Sequence, residues 1–386
     1  MAAIDIRGVR RRLGNVTGGL SSNDPPPNGT LELDASDRQK TRDHRAAACA
    51  RCGSGLDVAT FAIFLAQPLL RALLGPLGVG TGLADTVLKA VAVLVALAQG
   101  WRVLTFRRWR DEHAHVGRFL ACFCAMLAEL AVENCVVWLV SAWDDRKYDM
   151  VPGLQDNVAR VVRLAARHNS WVHAVASARW ADIKHFLLAL LALAFSGTWD
   201  QVPYSGFGLM SRVVLTHCVS RLLRMACFLS TVLPNPRPGC YRRRFPPPPD
   251  GLWETIKAGY TTIRGFGGCN DLIFSGHCVF WCLVPLAFRT YHPGGWRPGT
   301  WLLWAALLHT CVRDVLDEQH YSVDMLLAVV VTWAVWDWVE WVYPPDRQLL
   351  PRRPAGTPAD RLNPGVVGLI LAALALAGVI VIGGKA

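Results

Sequence analysis

The chain has 386 residues, 52% of them hydrophobic and 16 of them tryptophan, with a formal net charge of +11. So apolar a composition excludes an ordinary soluble domain and implies an integral membrane protein. The basic excess argues against nucleic acid as a partner, because Lys and Arg fall in tails and in loops between apolar runs, where they set topology and attract phosphate.

Residues 1–51 carry Arg10-Arg11-Arg12, Pro25-Pro26-Pro27 and many Gly, Ser and Asp, and are expected to form a disordered cytosolic tail with no signal peptide. Cys49 and Cys52 have C-x-x-C spacing but no second ligand pair, so no zinc site is expected. A multispan membrane domain is expected over 52–343. It opens with apolar runs at Leu56 to Leu74 and Leu83 to Trp101, parted by Gly75-Pro76-Leu77-Gly78, and continues through a basic loop from Arg102 to Arg118. Phe119 to Trp143 predicts a strong span. The polar segment Asp144 to Asp182 predicts an amphipathic helix near Val158 to Arg167, where apolar residues recur at helical intervals.

A short span is predicted from Ile183 to Thr198 and a long, tilted one from Gly206 to Leu233. The loop Pro234 to Asp271 holds Arg237, Arg242, Arg243, Arg244, Lys257 and Arg264, and Cys240 and Cys269 bracket it. Whether those two cysteines pair depends on the compartment the loop faces. Runs from Ile273 to Tyr291, from Thr300 to Leu316 and from His320 to Tyr343 complete the domain. A basic cytosolic linker, 344–362, then leads to an apolar stretch within 363–386 that predicts one further span. The fold class is therefore all-α, a polytopic helical bundle. With a cytosolic N-terminus, alternate crossing keeps the Arg102 to Arg118 loop and the linker cytosolic, as the positive-inside rule prefers, and turns the Pro234 to Asp271 loop to the lumen.

Charges inside the spans need partners. Glu129 and Glu133 share a helix face, and Glu133 and Arg224 each lie about 15 Å below the same end of their spans at 1.5 Å per residue. Glu133 or Glu129 is therefore expected to pair with Arg224 or Arg221.

The chemistry-bearing stretch is Cys269 to Asp324. His277, in Ser275-Gly276-His277, and His320, in His320-Tyr321-Ser322-Val323-Asp324, each open an apolar run, and an out-and-back pair of spans returns His320 to the membrane face of His277. On a helix starting at His320, Asp324 lies four residues on and shares its face. A carboxylate there fixes the imidazole and leaves its other nitrogen as a nucleophile, while His277 supplies proton transfer. Two histidines and a carboxylate at one interface suit phosphoryl transfer through a phosphohistidine. No carboxylate cluster suggests magnesium, and neither metal nor cofactor is expected.

Cys-x-Asp-x-x-x-Ser-Gly-His followed by His-Tyr-Ser-x-Asp resembles the sphingomyelin synthase family, a branch of the type-2 phosphatidic acid phosphatase superfamily. Arg224, followed after Met225 to Val232 by Leu233-Pro234-Asn235-Pro236, resembles a third block of that family, so the likeness covers about 206–343. The chain departs from the pattern at Asn270, where the family usually has Gly, and at Cys278, often Thr. Arg313 stands seven residues before His320, whereas plain phosphatases of the superfamily place an Arg six before.

The resemblance implies a six-helix core with extra flanking spans, His320 as nucleophile, Asp324 as its orienting partner and His277 as acid/base on the leaving lipid. It implies substrate or phosphate contacts at Arg224, Asp271, Ser275 and Tyr321. Lys257 and Arg264 stand in the K-x6-R spacing that opens the phosphatase signature, with Gly265 in place of Pro, and Arg264 is expected to contact phosphate. The implied reaction moves phosphocholine, phosphoethanolamine or phosphoinositol from a phospholipid to ceramide or another lipid alcohol, releasing diacylglycerol, in the Golgi or endoplasmic reticulum membrane or at the plasma membrane. A lipid phosphate phosphatase, a phosphatidylcholine:diacylglycerol transferase and a non-catalytic scaffold stay open as alternatives, as does self-association.

Overall fold

The computed structural model describes residues 109–351, apart from 148, 150–151, 179–180, 196–203, 246, 248, 263–267 and 292–296, together with single positions between 86 and 97. The chain divides into Met1–Arg45 and Ala46–Ala386, and everything described belongs to the second unit. The tail, the first apolar run, the C-terminal run and Arg264 lie outside the described residues. Of the second run, Thr86, Ala90, Val93, Leu94 and Leu97 are helical and exposed.

Helix α1 runs from Trp109 to Trp143, longer at its start than hydropathy alone predicts. The extra turns exist because Glu112, fully buried, accepts from the backbone N–H groups of Gly206 (2.8 Å) and Phe207 (3.1 Å) and from the Ser205 hydroxyl. Those N–H groups are orphans at the start of a later helix, and a carboxylate is the acceptor the dipole favours there. A Cβ at Gly206 would collide with the Phe195 ring and the Ala194 carbonyl, so only glycine permits this approach.

Helix α2, Asn157–His168, is the expected amphipathic segment, and α3, Ser170–Ser177, continues it after a break at Asn169, whose side chain caps α3. Next come α4 (Ile183–Phe195) and α5 (Gly206–Ser230), the latter capped by Ser205. A five-residue α6 (Cys240–Arg244) and α7 (Leu252–Thr261) lie in the polar loop. The remaining helices are α8 (Gly276–Tyr291), α9 (Arg297–Leu316) and α10 (Ser322–Val342), with a 3-10 turn at Pro345–Gln348. Among the described residues there is no strand, only a single bridge between Tyr204 and Leu349.

The protein is thus an all-α membrane bundle. By length and hydropathy α1, α5 and α10 are each able to cross a membrane, and α4 is shorter but apolar. Helix α8 is the centre: it packs on α4, α5, α9 and α10, and Cys278, Val279, Cys282, Leu283, Val284, Leu286 and Ala287 are all buried. A helix apolar on every side belongs in such a position. Helix α1 packs along α5, α7 lies on α1, and α2 and α3 lie on α9. Outward faces keep large apolar side chains, among them Leu187, Leu222, Leu326 and Trp341, as lipid contact requires.

Cys240 and Cys269 form a disulfide across 29 residues, tying α6 to the segment that leads into α8. Closing a loop of that length removes about 3–4 kcal/mol of unfolded-chain entropy. Replacing both cysteines by serine should lower the midpoint of thermal unfolding measured in detergent micelles, while the same change at Cys122 and Cys124, which are free, should leave it within a degree or two.

Candidate active site

The two histidines are delivered by two helix starts joined to each other. Ser275 is fully buried and its Oγ accepts from the Cys278 N–H (3.3 Å), capping α8, while its own N–H points to the Asp324 carbonyl (3.4 Å). His277 is the second residue of α8. His320 lies in the bend between α9 and α10. That bend is closed by Glu318, which adopts a left-handed φ of 54°, and by the Gln319 N–H on the Asp314 carbonyl (2.9 Å).

The helix does not begin at His320 as predicted but at Ser322. The His320–Asp324 contact survives for a different reason. Asp324, in the first turn of α10, folds back so that Oδ2 accepts from the Tyr321 N–H (3.0 Å) and lies 3.4 Å from His320 Nδ1. One carboxylate therefore caps a helix and lies within ion-pair distance of an imidazole, and it is wholly buried.

Two further groups lock this end of α10. Asp156 accepts from the Ser322 N–H (2.7 Å) and hydroxyl (2.9 Å) and, as N-cap of α2, from the Ala159 N–H (2.9 Å). Burial pulls its carboxyl upward, but these hydrogen bonds outweigh burial and hold it below the ordinary aspartate range. The Tyr321 hydroxyl accepts from the Leu154 N–H (2.9 Å) and donates to the Pro234 carbonyl (2.8 Å).

His277 and His320 line one cavity of about 370 Å³, with Arg221, Arg224, Arg237 and Asp271. The expected ion pairing is present. Arg221 Nε donates to Glu133 Oε2 (2.8 Å) and lies 3.4 Å from Glu129 Oε1. Arg224, 4% exposed, bonds Glu133 through Nη1, Asp271 Oδ2 (2.8 Å) and the Asp271 carbonyl (2.7 Å) through Nη2, and the Phe274 carbonyl (2.5 Å) through Nε.

The structure brings together His277, His320, Asp324, Arg224 and Asp271. It places Ser275 and Tyr321 behind the cavity wall as braces of the backbone rather than on its surface. Lys257 is exposed on α7, 3.6 Å from Glu254, and away from the cavity. Arg313 is buried against Asp182 (3.7 Å) and Asp314 (3.3 Å), also away from it. Sequence reasoning named no role at the site for Asp156 or His217. Residues 217, 221 and 224 stand at i, i+4 and i+7, one helix face, and that spacing was the available signal. Among the described residues no group of three His, Cys, Asp or Glu is set to hold a metal ion.

Residues 268–342, which hold both histidines and Asp324, match the family model described as PAP2 superfamily C-terminal. Over 318 residues the chain is 24% identical to the protein PHLOEM UNLOADING MODULATOR of Arabidopsis thaliana, covering 66% of this chain and 74% of that one. It is 35% identical over 125 residues to a phosphatidylinositol:ceramide inositolphosphotransferase of Oryza sativa subsp. indica, covering 31% and 37%. It is 27% identical over 88 residues to sphingomyelin synthase-related protein 1 of Mus musculus, covering 21% and 18%. The chain thus spans well under half the length of these last two relatives. The segment that carries the histidine pair is thus similar to the C-terminal part of the PAP2 superfamily. The relatives with a stated activity carry names of ceramide phosphotransferases or of sphingomyelin synthase-related proteins, so over this segment the chain is similar to the sphingomyelin synthase-like branch.

Glu133→Ala removes the carboxylate that Arg221 and Arg224 share and leaves each guanidinium with one carboxylate, Glu129 and Asp271 respectively, so the variant should show a lower unfolding midpoint and a lower yield of folded protein. Asp156→Ala tests the clamp on α10. Because the folded carboxyl is depressed, its stabilisation is present above the unfolded value near 4 and is lost as pH falls through the lower folded value. The stability gap between wild type and Asp156→Ala should therefore be constant near neutrality and close only on strong acidification, as measured by unfolding midpoints across pH.

Proposed function

We propose that this chain is a membrane lipid phosphotransferase that moves the phospho-headgroup of a phospholipid onto ceramide through a phosphohistidine. The observation that carries the reading is the sharing of one cavity by His277 and His320, with Asp324 behind His320 at 3.4 Å. The names of the relatives with a stated activity, which act on ceramide, support the substrate class.

With Nδ1 turned to Asp324, His320 keeps Nε2 for attack. Attack on phosphorus forms a P–N bond and breaks the P–O bond to diacylglycerol, whose oxygen takes the proton of His277. Neutral His277 then receives the proton of the ceramide primary hydroxyl as that oxygen attacks phosphorus. The P–N bond breaks and both imidazoles return to their starting states. Asp324 stabilises the positive charge on His320 in each half, and burial keeps water from the phosphohistidine. The disulfide at the site end of the bundle supports an oxidising, lumenal location for this face.

The test uses protein in nanodiscs with a phospholipid labelled at phosphorus. Labelled phosphosphingolipid should form only when ceramide is present. An acid-labile phosphoenzyme should be trapped in wild type and be absent in His320→Ala, and His277→Ala should slow transfer at least 100-fold. Release of inorganic phosphate from phosphatidic acid without ceramide would make it a phosphatase, and equal turnover in His320→Ala would make it no enzyme of this kind.

A further inference from the structure

His217 lies on α5 and lines the cavity that holds His277 and His320. It is 8% exposed, and its Nδ1 is buried with no hydrogen-bond partner among the described residues. Its ring stands edge-on to Phe280 (centroids 6.1 Å apart, planes at 87°). A buried imidazole nitrogen left without a partner costs about 1–3 kcal/mol, which a polar group entering the cavity would offset.

Depth says what that is. Arg224 reaches the carbonyls that precede α8, at the level of His277, and His217 stands seven residues before Arg224, about 10 Å along the helix away from the site end. Phe280, its aromatic neighbour, is one turn inside His277 on α8. The cavity wall includes the apolar side chains of Leu130 and Ile183. In a membrane lipid whose phosphorus, or whose reacting hydroxyl, lies between His277 and His320, the groups on the bilayer side are those of the lipid backbone.

A neutral imidazole presents one N–H and one lone pair. Diacylglycerol, once its hydroxyl is at the reacting centre, offers only ester acceptors. Ceramide still offers an amide N–H, an amide carbonyl and a secondary hydroxyl, donors and acceptors together. We propose that His217 forms the backbone-recognition subsite for the acceptor lipid, hydrogen-bonding the amide and secondary-hydroxyl region of ceramide, and so sets the choice of an amide lipid over a diacylglycerol. This rests on the reading of the chain as a ceramide phosphotransferase. It makes His217 a specificity residue that touches substrate without taking part in proton transfer.

The test is binding, which does not require turnover. Short-chain ceramide, the same ceramide methylated on the amide nitrogen, and short-chain diacylglycerol are titrated against wild type, His217→Leu and His217→Gln in nanodiscs, with lipid-induced thermal stabilisation as the readout. Wild type should bind ceramide in preference to diacylglycerol. His217→Leu should bind ceramide about three- to tenfold more weakly, the loss of one net hydrogen bond, and should leave diacylglycerol binding unchanged. His217→Gln, which keeps a donor and an acceptor, should recover at least part of the loss. Methylating the amide should weaken binding to wild type but add little in His217→Leu, because the two changes remove one interaction. Equal ceramide affinity in wild type and His217→Leu, or fully additive losses on methylation, would overturn the assignment, as would failure of wild type to bind ceramide. Ceramide binding that depends on His217 without any phosphate transfer would sink the phosphotransferase reading and leave the subsite standing. An unaltered unfolding midpoint of His217→Gln without lipid shows that the variants are folded.

Discussion

The guanidinium of Arg224 is the fixed point of the site. The segment from Gly268 to Ser275 is irregular backbone packed inside a helical bundle, and its carbonyls cannot be satisfied by a helix of their own. Arg224 donates to two of them, at Asp271 and Phe274, and Asn235 donates to a third, at Cys269 (2.7 Å). A charge so deep costs roughly 3 kcal/mol unless it is matched, and Glu133 on α1 and Asp271 in the segment itself match it. One side chain thereby joins α1, α5 and the approach to α8, and everything that follows, including the direction in which His277 leaves its helix start, depends on that junction.

The second histidine is held by a different principle. His320 is in a bend, where backbone freedom would blur its position, and the structure removes that freedom by spending polar side chains on backbone groups. Asp324 and Asp156 take the N–H groups of Tyr321 and Ser322, and the Tyr321 hydroxyl bridges Leu154 and Pro234. Helix starts leave N–H groups without partners in any case. Here those orphans hold the bend that carries His320, and the same Asp324 that caps the helix lies 3.4 Å from its imidazole.

How much of this the sequence discloses follows from the range of each interaction. Span positions, the amphipathic α2, the histidine pair and the Glu133–Arg224 pairing are legible because hydropathy, helical period and depth are local or one-dimensional quantities. Ser275 and Tyr321 read as substrate contacts because they sit in the motifs, yet their hydroxyls serve backbone partners, and a motif alone does not say which way a side chain turns. Asp156 gave no signal, since its partner Ser322 is far along the chain and the pairing exists only once α2 lies on α9. The extension of α1 to Trp109 escaped for a related reason: Glu112, a charge that hydropathy places outside a span, is buried against the start of α5.

The charges around the cavity bear on how the proposed phosphate would be held. Arg221 and Arg224 face Glu129, Glu133 and Asp271, two guanidiniums against three carboxylates, so this cluster carries no net positive charge to attract an anion. Lys257 in the loop does not replace it, being exposed and 3.6 Å from Glu254. Among the described residues, what remains at the lining is Arg237, set on the Asp317 carbonyl (2.9 Å from Nε) in the bend that carries His320, together with the N-terminus of α8, whose dipole points its positive end at the same space. On the proposed reading a phosphate is held beside the two histidines, and the buried arginines, each matched by carboxylates, serve to keep the backbone around His277 in place.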